Sequence, residues 1–171
     1  ALIYANNTYV AGGATGALNT STDTIHWTLR TSGFASDSIY AFTFANNTYI
    51  AGGGNNRSLS TSTDTIHWIR RTSGLANNTI FSLTFGNNTY VAGGTLGRLN
   101  TSTDAITWQI RTSSFATESI NSLTYANNTY VAGGYGGFIR TSTDAIHWVA
   151  RTAGFASTPI NSLTYKNNLY V

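Results

Sequence analysis

Four aspartates, four arginines and three histidines recur along this chain at fixed offsets, and they are the side chains with which chemistry could be done. Asp23, Asp64, Asp104 and Asp144 each stand seven residues ahead of Arg30, Arg71, Arg111 and Arg151, with His26, His67 and His147 between them in three copies and Thr107 in the other. Carboxylates in pairs could hydrolyse a glycosidic bond, converging imidazoles could hold a metal, and a guanidinium could grip an anionic sugar or a carboxylate through parallel N–H bonds. Each of these groups occurs once per copy, however, so the repeat carries equivalent residues away from one another. Glu118 is the only glutamate and Asp37 the only other carboxylate that breaks the pattern. No catalytic residue, metal ligand set or cofactor is expected. Aspartate readily accepts backbone N–H bonds in turns, so the four box aspartates are expected to be turn formers. One arginine per aspartate suggests structural pairing, with an anion grip as the alternative.

The elements that must position these groups follow from the repeat. The frame [YF]-x-N-N-T-Y-[VI]-A-G-G … T-S-T-D-x-I-x-W-x-x-R-T starts at Tyr4, Phe44, Phe85 and Tyr125, and a partial copy starts at Tyr165, giving repeats 4–43, 44–84, 85–124, 125–164 and 165–171. A period of about forty residues marks a supersecondary unit stacked on itself. In the fourth copy, strand-like stretches fall at 120–125, 129–132, 137–141 and 145–151, with Asn127-Asn128, Gly133-Gly134 and Thr143-Asp144 as breaks. No copy has a helical period, and Pro159 lies between units, where no ladder bond is lost. Four antiparallel strands in this length make one propeller blade, so the expected fold is all-β, a β-propeller of four-stranded blades. If Ile25 and Trp27 share one face of a fourth strand, with His26 and Thr28 on the other, then Trp27, Trp68, Trp108 and Trp148 fill the space between sheets. Each would contribute about 2 to 3 kcal/mol. The Gly-Gly pairs have no following helix or G-K-[ST], so they relieve crowding at strand ends and do not form a phosphate loop.

The segments Ser21-Thr-Asp23…Trp27, Ser62-Thr-Asp64…Trp68, Ser102-Thr-Asp104…Trp108 and Ser142-Thr-Asp144…Trp148 resemble Asp-box repeats, also called bacterial neuraminidase repeats. They are most similar to bacterial and phage repeats reading T-S-T-D-G-x-x-W. The resemblance implies a propeller whose box turns between the third and fourth strands. The usual Gly after Asp is replaced by Thr24, Thr65, Ala105 and Ala145, and the box is one residue shorter than its sialidase form, so a different turn is expected. Members of this group differ in function, and the fold transfers more safely than any activity.

Composition narrows the setting. With 41% hydrophobic and 13% aromatic residues the 171-residue chain is globular, while only 9% is charged. The net charge of +3 is spread through the repeats without the basic face that nucleic-acid binding needs, and no apolar run approaches the roughly 18 residues of a membrane span. There are no cysteines, hence no disulfides. Asn-x-Ser/Thr occurs at Asn6, Asn19, Asn46, Asn56, Asn77, Asn87, Asn100 and Asn127, mostly in expected turns. Asn-Asn is itself a hairpin turn, yet Lys166-Asn167-Asn168-Leu169 keeps the pair without the threonine, so the turn does not depend on the sequon. Glycans at these sites would place the protein outside a cell or on its surface and would keep a weakly charged surface dispersed.

Residues 1–10 correspond to 162–171, and a closed four-blade ring has no place for both. A larger ring, a longer chain or head-to-tail association is expected instead. The sequence is read as a non-catalytic extracellular structural or adhesive module, a building block of a surface filament. The alternative is a lectin-like propeller with one weak sugar site per blade.

Overall fold

The computed structural model describes residues 1–54, 58–74 and 78–171, with Ser58 described by its backbone alone. Four antiparallel sheets of four strands follow one another in chain order. The first blade holds β1 (Leu2–Ala5), β2 (Thr8–Gly12), β3 (Ala17–Ser21) and β4 (Thr28–Thr31); the second holds β5 (Ile39–Ala45), β6 (Thr48–Gly53), β7 (Ser58–Ser62) and β8 (Ile69–Thr72). The third holds β9 (Ile80–Gly86), β10 (Thr89–Gly94), β11 (Leu99–Ser102) and β12 (Gln109–Arg111); the fourth holds β13 (Ile120–Ala126), β14 (Thr129–Gly134), β15 (Ile139–Ser142) and β16 (Val149–Arg151). A hairpin of β17 (Tyr165–Lys166) and β18 (Leu169–Tyr170) begins the next unit. Among the described residues no helix is long and apolar enough to cross a membrane.

The first hairpin of every unit turns on its two asparagines. Both have positive φ, Asn6 at 44° and Asn7 at 59°, for example, which matches the right-handed twist of the strands they join. The turn also forms at Asn167 and Asn168, where leucine replaces the threonine. In the other four copies that threonine is not idle: Thr8, Thr48, Thr89 and Thr129 each donate to the carbonyl of the first asparagine at 3.3 to 3.4 Å.

The hydrophobic core lies between blades. Val10, Leu18 and Phe34 of the first blade meet Ile39, Tyr49 and Ala51 of the second. Val91, Leu99 and Phe115 of the third meet Ile120, Leu123, Tyr130 and Trp148 of the fourth, and the middle joint repeats the scheme with Ile50 and Leu59 against Ile80, Leu83 and Tyr90. Backbone contact is close because the first glycine of each pair leaves room for the next blade's isoleucine; a Cβ on Gly93 would lie 2.7 Å from Ile120 Cγ2. Each joint is stapled by a tyrosine hydroxyl. Tyr49, Tyr90, Tyr130 and Tyr170 donate to the carbonyls of Ala5, Ala45, Gly86 and Ala126, one blade back in every case. Burial drives the Tyr130 hydroxyl up to about 12, so it stays a donor across the accessible pH range.

The fourth strand is shorter than the sequence suggests. It starts at Thr28, Ile69, Gln109 and Val149, after the tryptophan, and the preceding residues form a turn. The reason lies in the aspartate: its Oδ1 accepts the N–H groups of the residues two and three ahead, Ile25 and His26 in the first copy, which a strand would have paired with its neighbour. Ile25 and Trp27 therefore do not share a buried strand face, and Ile25 is largely exposed. The tryptophans still reach the joints. Trp148 is 7% exposed and Trp68 and Trp108 pack at the joints' edges, whereas Trp27, in the first of the described blades, is 41% exposed.

Candidate functional site

All four box turns share one construction. The serine hydroxyl (Ser21, Ser62, Ser102, Ser142) donates to the aspartate Oδ1 at 2.9 to 3.1 Å and accepts from the aspartate's own N–H at 3.3 Å. The indole Nε1–H of each tryptophan donates to the carbonyl three residues back, at 3.0 to 3.3 Å. In three copies the second carboxylate oxygen meets the exposed histidine Nδ1 at 2.7 Å. Each histidine thus sits beside its own aspartate and away from the other histidines. Among the described residues no three His, Asp or Glu side chains converge as a metal site would require.

These bonds stabilise the ionised carboxylate. Asp23, Asp64 and Asp144 are held well below the usual carboxylate range, first by the histidine side chain and then by the backbone N–H groups of the turn. Asp104, lacking a histidine, is lowered to about 2 by the N–H groups of Thr107 and Ile106. A carboxylate with a depressed folded-state pKa contributes stability that is full above its unfolded value of about 3.9 and fades as pH falls toward the folded one. The melting temperature is therefore expected to be flat from neutrality to about pH 4 and to fall steadily below it. A melting temperature unchanged down to pH 2 in a calorimetric series would contradict this bonding scheme.

The residue after each aspartate keeps the left-handed backbone a glycine would favour, contrary to the altered turn expected from its absence. Thr24, Thr65, Ala105 and Ala145 have φ of 65°, 63°, 61° and 62°. A side chain is retained there because it is used: Thr65, Ala105 and Ala145 are buried at the joints, while Thr24, in the first of the described blades, is exposed. A left-handed L-residue costs about 1 to 2 kcal/mol, and glycine loses about 0.5 to 1 kcal/mol through chain entropy. Thr24→Gly should thus stabilise by about 0.5 to 1 kcal/mol, while Ala145→Gly, which gives up a buried methyl of about 0.8 kcal/mol, should not. Urea denaturation of the two variants measures the difference, and equal shifts would refute the explanation.

The arginines do not pair with the aspartates. The box aspartates Asp23, Asp64 and Asp144 pair within 4 Å with histidine. Instead Arg30, Arg71, Arg111 and Arg151 donate through Nε to the hydroxyls of Thr20, Thr61, Thr101 and Thr141 on the adjacent strand of their own blade, at 2.7 to 3.0 Å. Among the described residues the terminal nitrogens of Arg30, Arg71 and Arg151 have no hydrogen-bond partner, and Arg111 Nη2 donates to Gln109. Three of these arginines line a cleft closed by the box turn of the next blade: Arg30 against Asp64 and Ile66, Arg71 against Asp104 and Ile106, Arg111 against Asp144 and Ile146. The clefts enclose about 390, 270 and 420 Å³. The sequence singled out the arginines but not these clefts, because each cleft is assembled from residues one repeat apart.

The sequon asparagines divide into two groups. Asn6, Asn46, Asn87 and Asn127 are exposed at hairpin tips. Asn100, expected as a glycan site, is fully buried, and its Nδ2 donates to the Ser73 carbonyl of the preceding blade, so it is no acceptor for a glycan. Asn19, at the same position of the first blade, is half-buried on β3. Asn56 and Asn77 lie outside the described residues.

No protein-family model and no curated protein matches the chain. Solved structures do. Virginiamycin B lyase from Staphylococcus aureus aligns with 95% of this chain and 58% of its own, with a TM-score of 0.83 at 10% identity. YCF48 from Cyanidioschyzon merolae aligns over 98% of this chain and 63% of its own (TM-score 0.68, 14% identity), and the computationally designed Ika8 protein over 99% and 65% (TM-score 0.65, 14% identity). The chain spans about two thirds or less of each of these three. At such identities the likeness concerns the fold alone, and with four antiparallel four-stranded blades it makes this chain a blade-repeat β-propeller.

Proposed function

We propose that the chain is a non-catalytic structural and adhesive repeat module of the Asp-box kind, displayed outside a cell or on its surface. One observation carries this reading: the same joint is built three times from the same positions around a tyrosine and a tryptophan, while the serine and aspartate of each repeat are taken up by the box turn. Because every unit uses one joint, units can be added without new contacts, which suits a building block of a filament that associates head to tail. In such a setting the hairpin-tip asparagines, Asn6, Asn46, Asn87 and Asn127, are the glycan acceptors. Their side chains are exposed, and the threonine two residues on completes the sequon in addition to its bond to the asparagine carbonyl.

Two measurements test the two halves. Protein from a eukaryotic secretory host should lose mass on enzymatic deglycosylation, at up to these four sites; a mass equal to the bare 18.3 kDa chain would remove the glycosylated setting. Sedimentation at rising concentration should show open-ended association. A monomer throughout the range would remove the filament reading.

A further inference from the structure

We infer that the three clefts between consecutive blades are binding sites for a uronic-acid polysaccharide, one carboxylate-bearing sugar to a cleft. The proposal rests on the adhesive half of the function above and names its ligand. In the first cleft the Arg30 guanidinium is fixed by the bond from its Nε to Thr20, so the fork is already oriented while both terminal nitrogens remain free. A carboxylate is the planar anion that such a fork receives through two parallel bonds. Thr8 and Thr20 bring hydroxyls to the cleft, and Ile66 of the next blade supplies one aliphatic wall, which fits a ring that is polar at its edge and apolar on its face.

Two carboxylates line this cleft, Asp23 of the same blade and Asp64 of the next, and the oxygens of each are taken up by bonds within its own turn, so neither competes with a ligand for the Arg30 fork. Asp64 has its carboxylate occupied by the N–H groups of Ile66 and His67, by the Ser62 hydroxyl and by the His67 imidazole, all belonging to its own turn. The second cleft repeats the arrangement with Arg71 facing Ile106, and in the third Arg111 faces Ile146 with one terminal nitrogen bonded to Gln109 and the other left for a ligand. Sites recurring at every blade step match a polymer that repeats along its length, and weak single sites then combine by multivalency. A net charge of +3 favours the approach of a polyanion. An acidic peptide would satisfy the guanidinium but brings no hydroxyl-edged ring to lie between Thr8, Thr20 and Ile66, and it becomes a test arm.

Arg151 provides the internal control. It is anchored to Thr141 in the same way, but it is exposed and no following box turn faces it in the described chain. Polygalacturonate is titrated calorimetrically into the 171-residue chain at about 0.15 M salt, with dextran and poly-L-glutamate in parallel. Binding is expected for polygalacturonate, none for dextran, and at least about tenfold weaker binding for poly-L-glutamate. Arg30→Gln, Arg71→Gln and Arg111→Gln should each weaken binding about threefold to tenfold and the triple variant at least about 100-fold, with Arg151→Gln within about twofold of the parent. Lysine at the three positions keeps the charge without the fork and should restore less than half of the lost affinity. Melting curves accompany every variant, and the lysine series keeps the comparison sound if the triple glutamine variant unfolds. Equal binding of poly-L-glutamate, an Arg151→Gln loss as large as the others, or no polygalacturonate binding would each overturn the inference. Loss of sugar binding with head-to-tail association intact would leave the structural half of the proposed function standing.

Discussion

Gly94→Ala is expected to destabilise the chain by more than about 3 kcal/mol, whereas Gly13→Ala, at the equivalent position of the first blade, should change stability by less than about 1 kcal/mol. A methyl at position 94 would sit 1.9 Å from the Thr79 carbonyl oxygen, a backbone atom that cannot turn aside as a flexible side chain could. That carbonyl also accepts the N–H of Thr95, and the N–H of Gly94 itself donates to Arg98, so any shift that relieves the clash breaks bonds at the base of the third blade. At Gly13 the nearest atom to an added Cβ is the methyl of Ala17, at 3.9 Å, an ordinary contact. Both glycines have extended backbones, so neither substitution introduces left-handed strain, and the contrast isolates steric room. Chemical denaturation of the two variants reads it directly. Equal losses would show that the second glycine of the pair serves chain conformation and not the close approach of backbone.

Much of this architecture can be read from the residues because it depends on short-range chemistry. The Asn-Asn turns, the strand alternation and the Ser-x-Asp box are each decided within a few residues, and the structure has them where the spacing puts them. What sequence leaves open is set one repeat away. Trp27 and Trp148 share the same S-T-D-x-I-H-W box, but one faces solvent and the other a neighbouring blade. Asn100 reads as a sequon in a strand, and only the approach of the Ser73 carbonyl from the second blade makes it a buried donor. Arg111 is equally ambiguous, since matched counts of arginine and aspartate suggest ion pairs, while the register of β11 and β12 brings a threonine hydroxyl to Nε first. The fourth strand departs from its sequence pattern for the opposite reason. Alternation of Ile25, His26 and Trp27 looks like a strand, but the Asp23 carboxylate captures two of the N–H groups that a strand would need.

If the joints and not the blades carry the stability, then one substitution at equivalent positions should have unequal effects along the chain. Trp148→Ala is expected to cost about 3 to 5 kcal/mol and Trp27→Ala about 1 kcal/mol, the usual range for a buried aromatic against that for a half-exposed one. The Trp148 ring packs on Tyr130 with centroids 6.3 Å apart, within a cluster that includes Leu99 and Phe115 of the preceding blade. Its removal opens a cavity beside the Tyr130 hydroxyl, which reaches the Gly86 carbonyl across the joint. Both tryptophans make the same indole bond to their own turn, so that bond cancels in the comparison and the remaining difference belongs to the neighbouring blade. Trp68, packed near Phe42 at 6.3 Å and only partly buried, should fall between the two. The ordering Trp148 above Trp68 above Trp27 in denaturant midpoint shifts is the expected result. Three equal shifts would mean that the box turn holds its own blade together and that the joint contributes little, which would also remove the physical basis for a chain that grows by repeating one interface.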